Sequence, residues 1–442
     1  MRARSSGFRR ELNGSFDLSK LFIAAGGLLI AILFTALIGP YLVDWTAYRE
    51  TFEREASAYI GRPVSVAGKA SVRLLPTPIL SFTDIRIGDA EEPDIEMERF
   101  RAEVELAPLL KGEIKVIQMT VERPHFRFDL AQLSETEANG PGSGWRIDPQ
   151  RISLARLEIL DGAAIIADSR AGRDFRAENI NGVVEAGSLR GPGRIEADLS
   201  LDGIPMVVRV GLGRVGVDDS VPANISISSP LYPLSVALDG VAAFAGVEAP
   251  KFEGSISVAG IAPEDGSDEP RSPLADFAAQ GGFSLTPDAV TFEEAQLSYG
   301  AMERPLVVQA SGRLDFGAEA RFDISIGARQ IDVDQALGGG PDQPVSIAAA
   351  YHRLVQLLPE LPKAPFPGQL HLDAQGVVIG GSVMQAVGID LATDAQGWRV
   401  ENLAAILPGE TRVDLSGDLR LSEPPAFQGH GRVESGRPAA LA

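Results

Sequence analysis

The sequence contains no cysteine among its 442 residues. This absence excludes disulfide bonds, thiolate catalysis, and cysteine-ligated zinc or iron–sulfur sites. Basic residues are also few, with 40 Lys and Arg against 60 Asp and Glu. Because affinity for nucleic acids rests mainly on neutralising phosphates with Lys and Arg, the sequence predicts no nucleic-acid partner.

Motifs that carry chemistry are absent as well. The sequence has four histidines without metal-ligand spacing, at His125, His352, His371 and His430. It has no Gly-x-Ser-x-Gly nucleophile turn. Residues 211–216 formally match the dinucleotide fingerprint, but residues 217–222 lack a helix-forming pattern, so we interpret this stretch as a glycine-rich turn. The sequence therefore predicts no catalytic residue, no cofactor and no metal site, and we expect that the protein is not an enzyme.

One long apolar run is present, from Leu21 to Gly39, without a charged residue. Extended to Val43, it has the roughly 20 residues that cross a bilayer core of ~30 Å. Five basic residues precede it in residues 1–20. These features predict a basic cytoplasmic N-terminus and one transmembrane helix at residues 21–43, with the rest of the chain across the membrane. A cleaved signal peptide is the alternative, which the length of the run and the lack of a small-x-small cleavage site disfavour.

After residue 62 the spacing of apolar residues changes from helical to alternating. Apolar residues recur every three or four positions in residues 44–62 and again in residues 344–360, which predicts two amphipathic helices. The period is two almost everywhere else, as in Ile195 to Leu201 and Phe322 to Ile326. This alternation is typical of strands with one apolar and one wet face. Gly- and Pro-rich breaks near residues 134–144, 263–273 and 338–344 predict loops between strand modules.

Short turn signals suggest that the strands follow one another as antiparallel meanders. Four Asp-Gly or Asn-Gly pairs are expected to be turns, at residues 161–162, 181–182, 202–203 and 239–240. At ~13 residues per strand and turn, the chain would form on the order of 28 strands, and an unbroken sheet roughly 135 Å long.

The expected fold is therefore mainly β: a transmembrane helix followed by an elongated, curled antiparallel sheet that forms a groove, with few amphipathic helices. The predicted β-modules span residues 63–133, 145–262, 274–336 and 366–442, and whether the last is complete stays open. An open sheet must cover its apolar face by curling on itself or with lipid. The candidate groove-lining residues are Val72, Leu74, Ile85, Ile87, Phe126, Phe128, Ile195, Leu199, Leu201, Phe322, Ile324 and Ile326.

Several segments after the apolar run resemble the AsmA family of bacterial envelope proteins. The resemblance is specific over roughly residues 40–200 and looser beyond. The segments that carry it are residues 60–68, 75–80, 82–88, 104–114, 121–126, 157–163 and, less specifically, 400–410.

The resemblance implies an inner-membrane anchor that carries an elongated β-groove, similar to bridge-like lipid-transfer proteins. The expected function is transport of phospholipids between the inner and outer membranes, with acyl chains as the bound partner, and so a part in outer-membrane biogenesis. The expected location is the bacterial inner membrane, single-pass, with most of the chain in the periplasm. The alternative is a non-enzymatic structural or assembly factor that affects targeting and assembly of outer-membrane proteins through an unidentified envelope protein partner.

Overall fold

Twenty-two strands form one long, curved sheet in the computed structural model of the chain. The structure describes residues 28, 34–35, 37–39, 42–89, 91–109, 115–129, 154–169, 172–187, 191–243, 250–262, 272–300, 305–317, 319–340, 342–357, 367–394, 397–420 and 426–437. The strands are β1 Val64–Val66, β2 Ala70–Arg73, β3 Ile79–Gly88, β4 Pro93–Val104, β5 Val116–Glu122, β6 His125–Asp129, β7 Leu154–Asp168, β8 Arg173–Ala186, β9 Gly193–Leu201, β10 Ile204–Leu212, β11 Ser220–Ser228, β12 Leu234–Ala243, β13 Lys251–Gly260, β14 Phe277–Leu285, β15 Ala289–Tyr299, β16 Leu306–Asp315, β17 Arg321–Asp332, β18 Gly368–Ile379, β19 Ser382–Asp394, β20 Gly397–Leu407, β21 Thr411–Arg420 and β22 Ala426–Ser435.

In the part of the chain that the structure describes, four short helices accompany the sheet, besides scattered helical positions between residues 28 and 42. They are α1 Arg49–Ile60, α2 Leu106–Leu109, α3 Val333–Ala336 and α4 Ile347–Leu357, with 3-10 turns at Trp45–Tyr48 and Pro273–Asp276. Most of the predicted transmembrane segment, residues 21–43, lies outside the described residues, as does the predicted cytoplasmic segment 1–20. Leu28, Phe34 and Leu37 are among its few described positions, and they are helical. Within the described part of the chain, no helix has the length and apolarity needed to cross a membrane.

Neighbours in the sheet are mostly neighbours in sequence. Strands β7 to β17 pair successively and antiparallel, and so do β18 to β22. Near the N-terminus, β1 and β2 both pair with β3, while β5 and β6 together fill the place between β4 and β7. The ladder therefore has twenty places, which at ~4.8 Å each give a length of roughly 90 Å.

This sheet differs from the expectation in three respects. It is shorter than roughly 135 Å and has fewer strands than expected. Strands as long as β7 use more residues each, and the connection from β17 to β18, which contains α3 and α4, uses residues 333–367. It is not purely antiparallel, since β17 pairs with β18, and β5 and β6 with β7, in parallel. Parallel neighbours need a long connection, which the crossover with α3 and α4 supplies for β17 and β18.

Three of the four expected turns were wrong. Residues 202–203 form a turn between β9 and β10, whereas residues 161–162, 181–182 and 239–240 lie inside β7, β8 and β12. Asp161 is left-handed, with φ 54°, at an irregularity in the pairing of β7 with β8. Gly240 has no side chain because a Cβ there would meet the carbonyl oxygen of Glu253 at 2.2 Å. These residues allow β-bulges or the close approach of neighbouring strands, and they do not reverse the direction of the chain.

Helix α1 covers the first edge of the sheet. The backbone N–H of Val66 donates to Glu53 Oε1 (2.7 Å), and that of Val64 donates to Ser57 Oγ (2.8 Å). An edge strand with unpaired N–H groups is a template for aggregation, so these two side chains satisfy donors and block the edge. The other terminal strand, β22, pairs with β21 alone among the described strands, and all ten of its residues are exposed.

Removing the Glu53 carboxylate should loosen this edge. Glu53→Ala leaves the Val66 N–H without its acceptor, so we expect a loss of about 1–2 kcal/mol in unfolding free energy. Amide hydrogen exchange at Val66 should become at least several-fold faster. Glu55→Ala on an exposed position of the same helix is the control. Unchanged exchange at Val66 would mean that this hydrogen bond does not protect the edge.

Candidate functional site

An unbroken apolar row crosses fourteen strands on one face of the sheet. Its members lie directly opposite one another from β2 to β16, passing through β5 and omitting β6. The row consists of Ala70, Phe82, Phe100, Val121, Ile159, Gly182, Ala197, Val208, Ile227, Val236, Val258, Ala279, Leu297 and Val308. We call this set the long apolar row.

A second apolar row runs beside it on the same face, two residues away along each strand. Side chains of alternate residues share a face, so the two rows form one continuous apolar surface. The second apolar row consists of Val72, Leu80, Ala102, Met119, Leu157, Val184, Ile195, Val210, Ile225, Leu238, Ile256 and Gly281.

The row between these two faces the other way and is almost entirely polar. Twelve of its fourteen members carry polar or charged side chains. They are Ser71, Ser81, Arg101, Thr120, Glu158, Val183, Glu196, Arg209, Ser226, Ala237, Ser257, Gln280, Gln296 and Gln309. The sheet thus has one wet face and one apolar face over fourteen of its twenty places.

Residues with a left-handed backbone conformation bend the sheet, and the separation into a wet face and an apolar face is kept. Asp84, Arg123, Asp161 and Asn179 all have φ between 49° and 54°. Each stands where the alternation shifts by one residue, so that in β3 Phe82 and Ile85 pack in the same cluster. Bulges of this kind increase local twist and bend a sheet, which accounts for the curvature here.

The apolar face is covered near its two ends. At the first end, Phe52 of α1 packs edge-on against Phe82, with ring centroids 5.3 Å apart, beside the buried cluster of Val66, Ile85, Ile87 and Ile95. Towards the other end, Val333 of α3 packs on the cluster of Ile331, Ala374, Val377, Val387 and Ala405. Ala374 there is 0% exposed.

The middle of the apolar face is open. Strands β9 to β12 contain no fully buried residue, and their apolar-face side chains are half-buried or, at Leu212, exposed. Four neighbouring strands with about four same-face side chains each form one contiguous apolar patch, and contiguous exposed apolar patches mark interaction sites or ligand-binding grooves. No other described part of the chain covers this stretch to the extent that a second packed sheet would. We call the open apolar face of β9–β12 the trough.

The structure distributes the predicted lining residues over covered and open parts. Ile195, Leu199 and Leu201 line the trough. Ile85 and Ile87 belong to the cluster at the first end, and Val72 begins the second apolar row. Phe126 and Phe128 stack on β6 with centroids 6.0 Å apart, and Phe322, Ile324 and Ile326 alternate on β17. Leu74 lies in the connection between β2 and β3, outside both strands.

Several residues of the second apolar row were missed by the sequence reasoning. Ile225 and Leu238 lie in the trough and Ile256 lies in the adjoining strand β13, and their alternation with Ser226, Asp239 and neighbours was visible in the sequence. The partner of Phe52 could not have been named from periodicity alone, because Phe82 comes from a distant strand.

Side chains with titratable chemistry are sparse near the apolar face. In the described residues, no group of three or more His, Asp or Glu side chains could hold a metal ion. One coupled pair lies on the wet face, where His371 Nδ1 donates to Asp390 Oδ1 (2.8 Å), between Ser325 and Asn402 of the neighbouring strands. The hydrogen bond raises the pKa of His371 above its ordinary value, and burial opposes this only partly. The same bond lowers the pKa of Asp390.

The His371–Asp390 pair should give a pH-dependent signal. The contribution of the pair to the free energy of unfolding is complete at pH values between the ordinary pKa of Asp and the ordinary pKa of His. It is lost as pH rises through the raised pKa of His371, or falls through the lowered pKa of Asp390. Both side chains are more than a third exposed, so the effect on stability is small. We expect Asp390→Asn to shift the NMR titration of His371 downward, and Asp414→Asn on β21 to leave it unchanged.

Residues 18–191 match the model of the AsmA family. No curated protein and no solved structure matches the chain. The matched part includes α1, the blocked edge and the first eight strands.

Proposed function

We propose, from the match of residues 18–191 to the AsmA family model, that the trough carries phospholipid acyl chains between the inner and outer membranes. The protein would be anchored in the inner membrane by residues 21–43, with its N-terminus cytoplasmic and the sheet in the periplasm. It would act without catalysis and contribute to outer-membrane biogenesis.

The open trough is the observation that carries this proposal. Half-buried apolar side chains on four successive strands are costly in water, at ~25 cal/mol per Å² of apolar surface left exposed. Acyl chains are a suitable cover because they are apolar, flexible and long enough to span several strands. The rows continue beyond the trough on both sides, so a chain that moves along them stays on apolar side chains.

A second candidate is a structural or assembly factor for outer-membrane proteins. The exposed strand β22 favours it, because its backbone donors and acceptors face away from β21 and suit an added strand from a protein partner. Under this alternative the trough would contact a protein segment rather than lipid.

Site-specific photocrosslinking of the full chain in intact cells tests the proposal. A photoreactive amino acid replaces Ile225, which faces the trough, or Asn224, its neighbour on the wet face. We expect phospholipid adducts at residue 225 at least tenfold above those at residue 224, identified by mass spectrometry. Protein adducts at residue 225 would support the assembly factor, and equal lipid labelling at both positions would overturn the trough as a lipid site.

A further inference from the structure

A third apolar row runs beside the second one on the same face. It passes through every strand from Ala186 in β8 to Gly429 in β22, and each member lies directly opposite the next. From β8 to β14 it lies two residues from the second apolar row, so the side chains of the two rows share a face. All of its members are apolar residues or glycines. We call it the third apolar row.

A fourth apolar row follows on the far side of the third. It runs from Val221 in β11 to Phe427 in β22 and consists of apolar residues or glycines except at Thr393. The apolar face therefore continues on these two rows from the trough to the last strand.

The first two rows, in contrast, lead under cover. The long apolar row ends at Val308, which packs against the covered cluster that includes Ala374 and Val387. Leu372 and Ile389 lie opposite each other two residues away on the same strands, and they pack against this cluster as well. Because α3 also packs on the cluster, these inner rows are closed beyond β16.

The cover is fixed to the sheet. Asp334 of α3 is 3% exposed, and its two carboxylate oxygens accept the backbone N–H groups of Gly380 (2.9 Å) and Gly381 (2.8 Å) in the β18–β19 turn. A buried carboxylate that receives two hydrogen bonds holds α3 in place over the cluster.

The crossover bounds the apolar face on the same side at β13–β15. A cavity of about 1170 Å³ lies between the ends of these strands and the crossover, with Phe277 and Tyr299 on one wall and Leu337 and Val345 on the other. Phe277 and Tyr299 lie opposite each other, two residues beyond the long apolar row. The crossover thus limits the face from the side of the long apolar row.

The third and fourth rows pass beside the covered cluster on β17–β20, and we call this part of them the narrow lane. Its third-row members are Ile324, Leu370, Leu391 and Val400. The first three are half-buried. In the fourth row, the half-buried Trp398 packs against Phe322, with ring centroids 6.5 Å apart. A ligand on the apolar face can therefore reach β21 and β22 over the narrow lane.

The apolar face is much narrower here than in the trough. Five residues share the apolar face of β10, namely Ile204, Met206, Val208, Val210 and Leu212. The narrow lane has two rows, and since neighbouring rows are ~6.6 Å apart along a strand, its width is about 13 Å. A hydrocarbon chain whose carbon atoms lie ~4 Å from their neighbours fits on one row. The lane therefore has room for two extended chains side by side.

We propose that the narrow lane takes two acyl chains side by side, so that diacyl phospholipids pass through it one at a time and lipids with four acyl chains on one headgroup are held back in the trough. This inference rests on the proposed function and adds to it the class of lipid that reaches β22. Ile324, Leu370 and Leu391 are the specificity-determining residues, because they form the floor of the lane beside the cluster.

Photocrosslinking of the full chain in nanodiscs tests the lane. A photoreactive amino acid replaces Ile225 in the trough or Leu391 in the lane, and the adducts are identified by mass spectrometry. The nanodiscs contain equal amounts of phosphatidylethanolamine and of a tetra-acylated lipid A, whose four chains leave one disaccharide. We expect the ratio of adducts at residue 391 to adducts at residue 225 to be at least fivefold higher for phosphatidylethanolamine. Taking this ratio removes differences in how readily each lipid enters the trough.

A variant that narrows the lane separates its width from headgroup chemistry. Ile324→Trp, two strands before residue 391, should leave room for one chain. Adducts of phosphatidylethanolamine at residue 391 should then fall at least fivefold, whereas those of lysophosphatidylethanolamine, which has the same headgroup and one chain, should stay within twofold of the native level. Ile324→Leu keeps the side-chain volume and is the matched control. Melting temperatures are measured alongside, and Leu370→Phe, a milder narrowing, decides if the tryptophan variant is unstable.

The outcomes distinguish the two proposals. Equal ratios for the two lipids, or an equal loss of one-chain and two-chain lipid in the narrowed variant, overturns the two-chain lane and leaves the trough intact. Adducts at residue 225 without any at residue 391 also overturn the lane, since lipid then does not pass beside the cluster. Absence of lipid adducts at both residues overturns the proposed function itself.

Discussion

A single aspartate at residue 225 is expected to stop lipid from passing along the trough while the protein stays folded. Ile225 is half-buried at the centre of the second apolar row. An ionised carboxylate there keeps its water, and about four methylenes of a passing chain must then remain hydrated. At ~0.8 kcal/mol per methylene this costs roughly 3 kcal/mol, or on the order of 100-fold in occupancy.

The measurement uses photoreactive probes on both sides of the block. Leu157 in β7 and Leu297 in β15 each lie four strands away from β11 along the ladder. In Ile225→Asp, lipid adducts at residue 157, on the anchored side, should persist, and those at residue 297 should fall at least tenfold. The free energy of unfolding should change by about 1 kcal/mol or less, since the new charge faces solvent.

Asn224→Asp provides the control, because it adds the same charge one residue away on the wet face. Its remaining oxygen still accepts from the Gly211 N–H, which lies 3.1 Å away in the native chain. Adducts at residue 297 should stay at the native level in this variant. An equal loss in both variants would point to a general effect of charge, and no loss in either would mean that lipid does not travel along these rows.

The alternation of apolar residues was enough to predict the mainly β fold and the two-faced sheet. Ile195, Leu199 and Leu201 needed no tertiary information, because side chains in a strand alternate by geometry. The register between neighbouring strands could not be predicted in this way. That Val208 lies opposite Ile227, which in turn lies opposite Val236, follows from hairpin lengths that periodicity does not report.

The bulges explain the wrong turn predictions. Asp161-Gly162 looks like a hairpin turn in sequence, since both residues tolerate positive φ. In β7 the same tolerance serves a left-handed residue inside a long strand. Local sequence specifies the backbone conformation there, but the pairing of β7 with two neighbouring strands decides whether the chain reverses.

The cavity between the strand ends of β13–β15 and the crossover from β17 to β18 could not have been predicted from sequence. It depends on a parallel crossover, which brings Arg353 near Tyr299 and Gly260 although the three are far apart in the chain. The amphipathic period of residues 344–360 indicated a helix and an apolar face, but not the strand ends that this face would meet.

An aspartate in the covered part of the apolar face should destabilise the fold, whereas Ile225→Asp in the trough should block lipid with little loss of stability. Ala374 is 0% exposed within the cluster that packs under α3. An aspartate there would bury a carboxylate without a partner, so we expect Ala374→Asp to lower the free energy of unfolding by about 4 kcal/mol or more. The neighbouring exposed residue gives the control variant, Gln375→Asp, which should change it by less than about 0.5 kcal/mol.

Urea unfolding followed by Trp398 fluorescence measures this difference locally. Trp398 lies in β20, with its ring centroid 6.5 Å from that of Phe322, and the other two tryptophans are replaced by phenylalanine. The midpoint should fall strongly in Ala374→Asp and little in Ile225→Asp. Because an aspartate is costly only where the face is dry, equal costs at the two positions would show that the trough is packed like a core, and a lipid-carrying role would then have no open surface to act through.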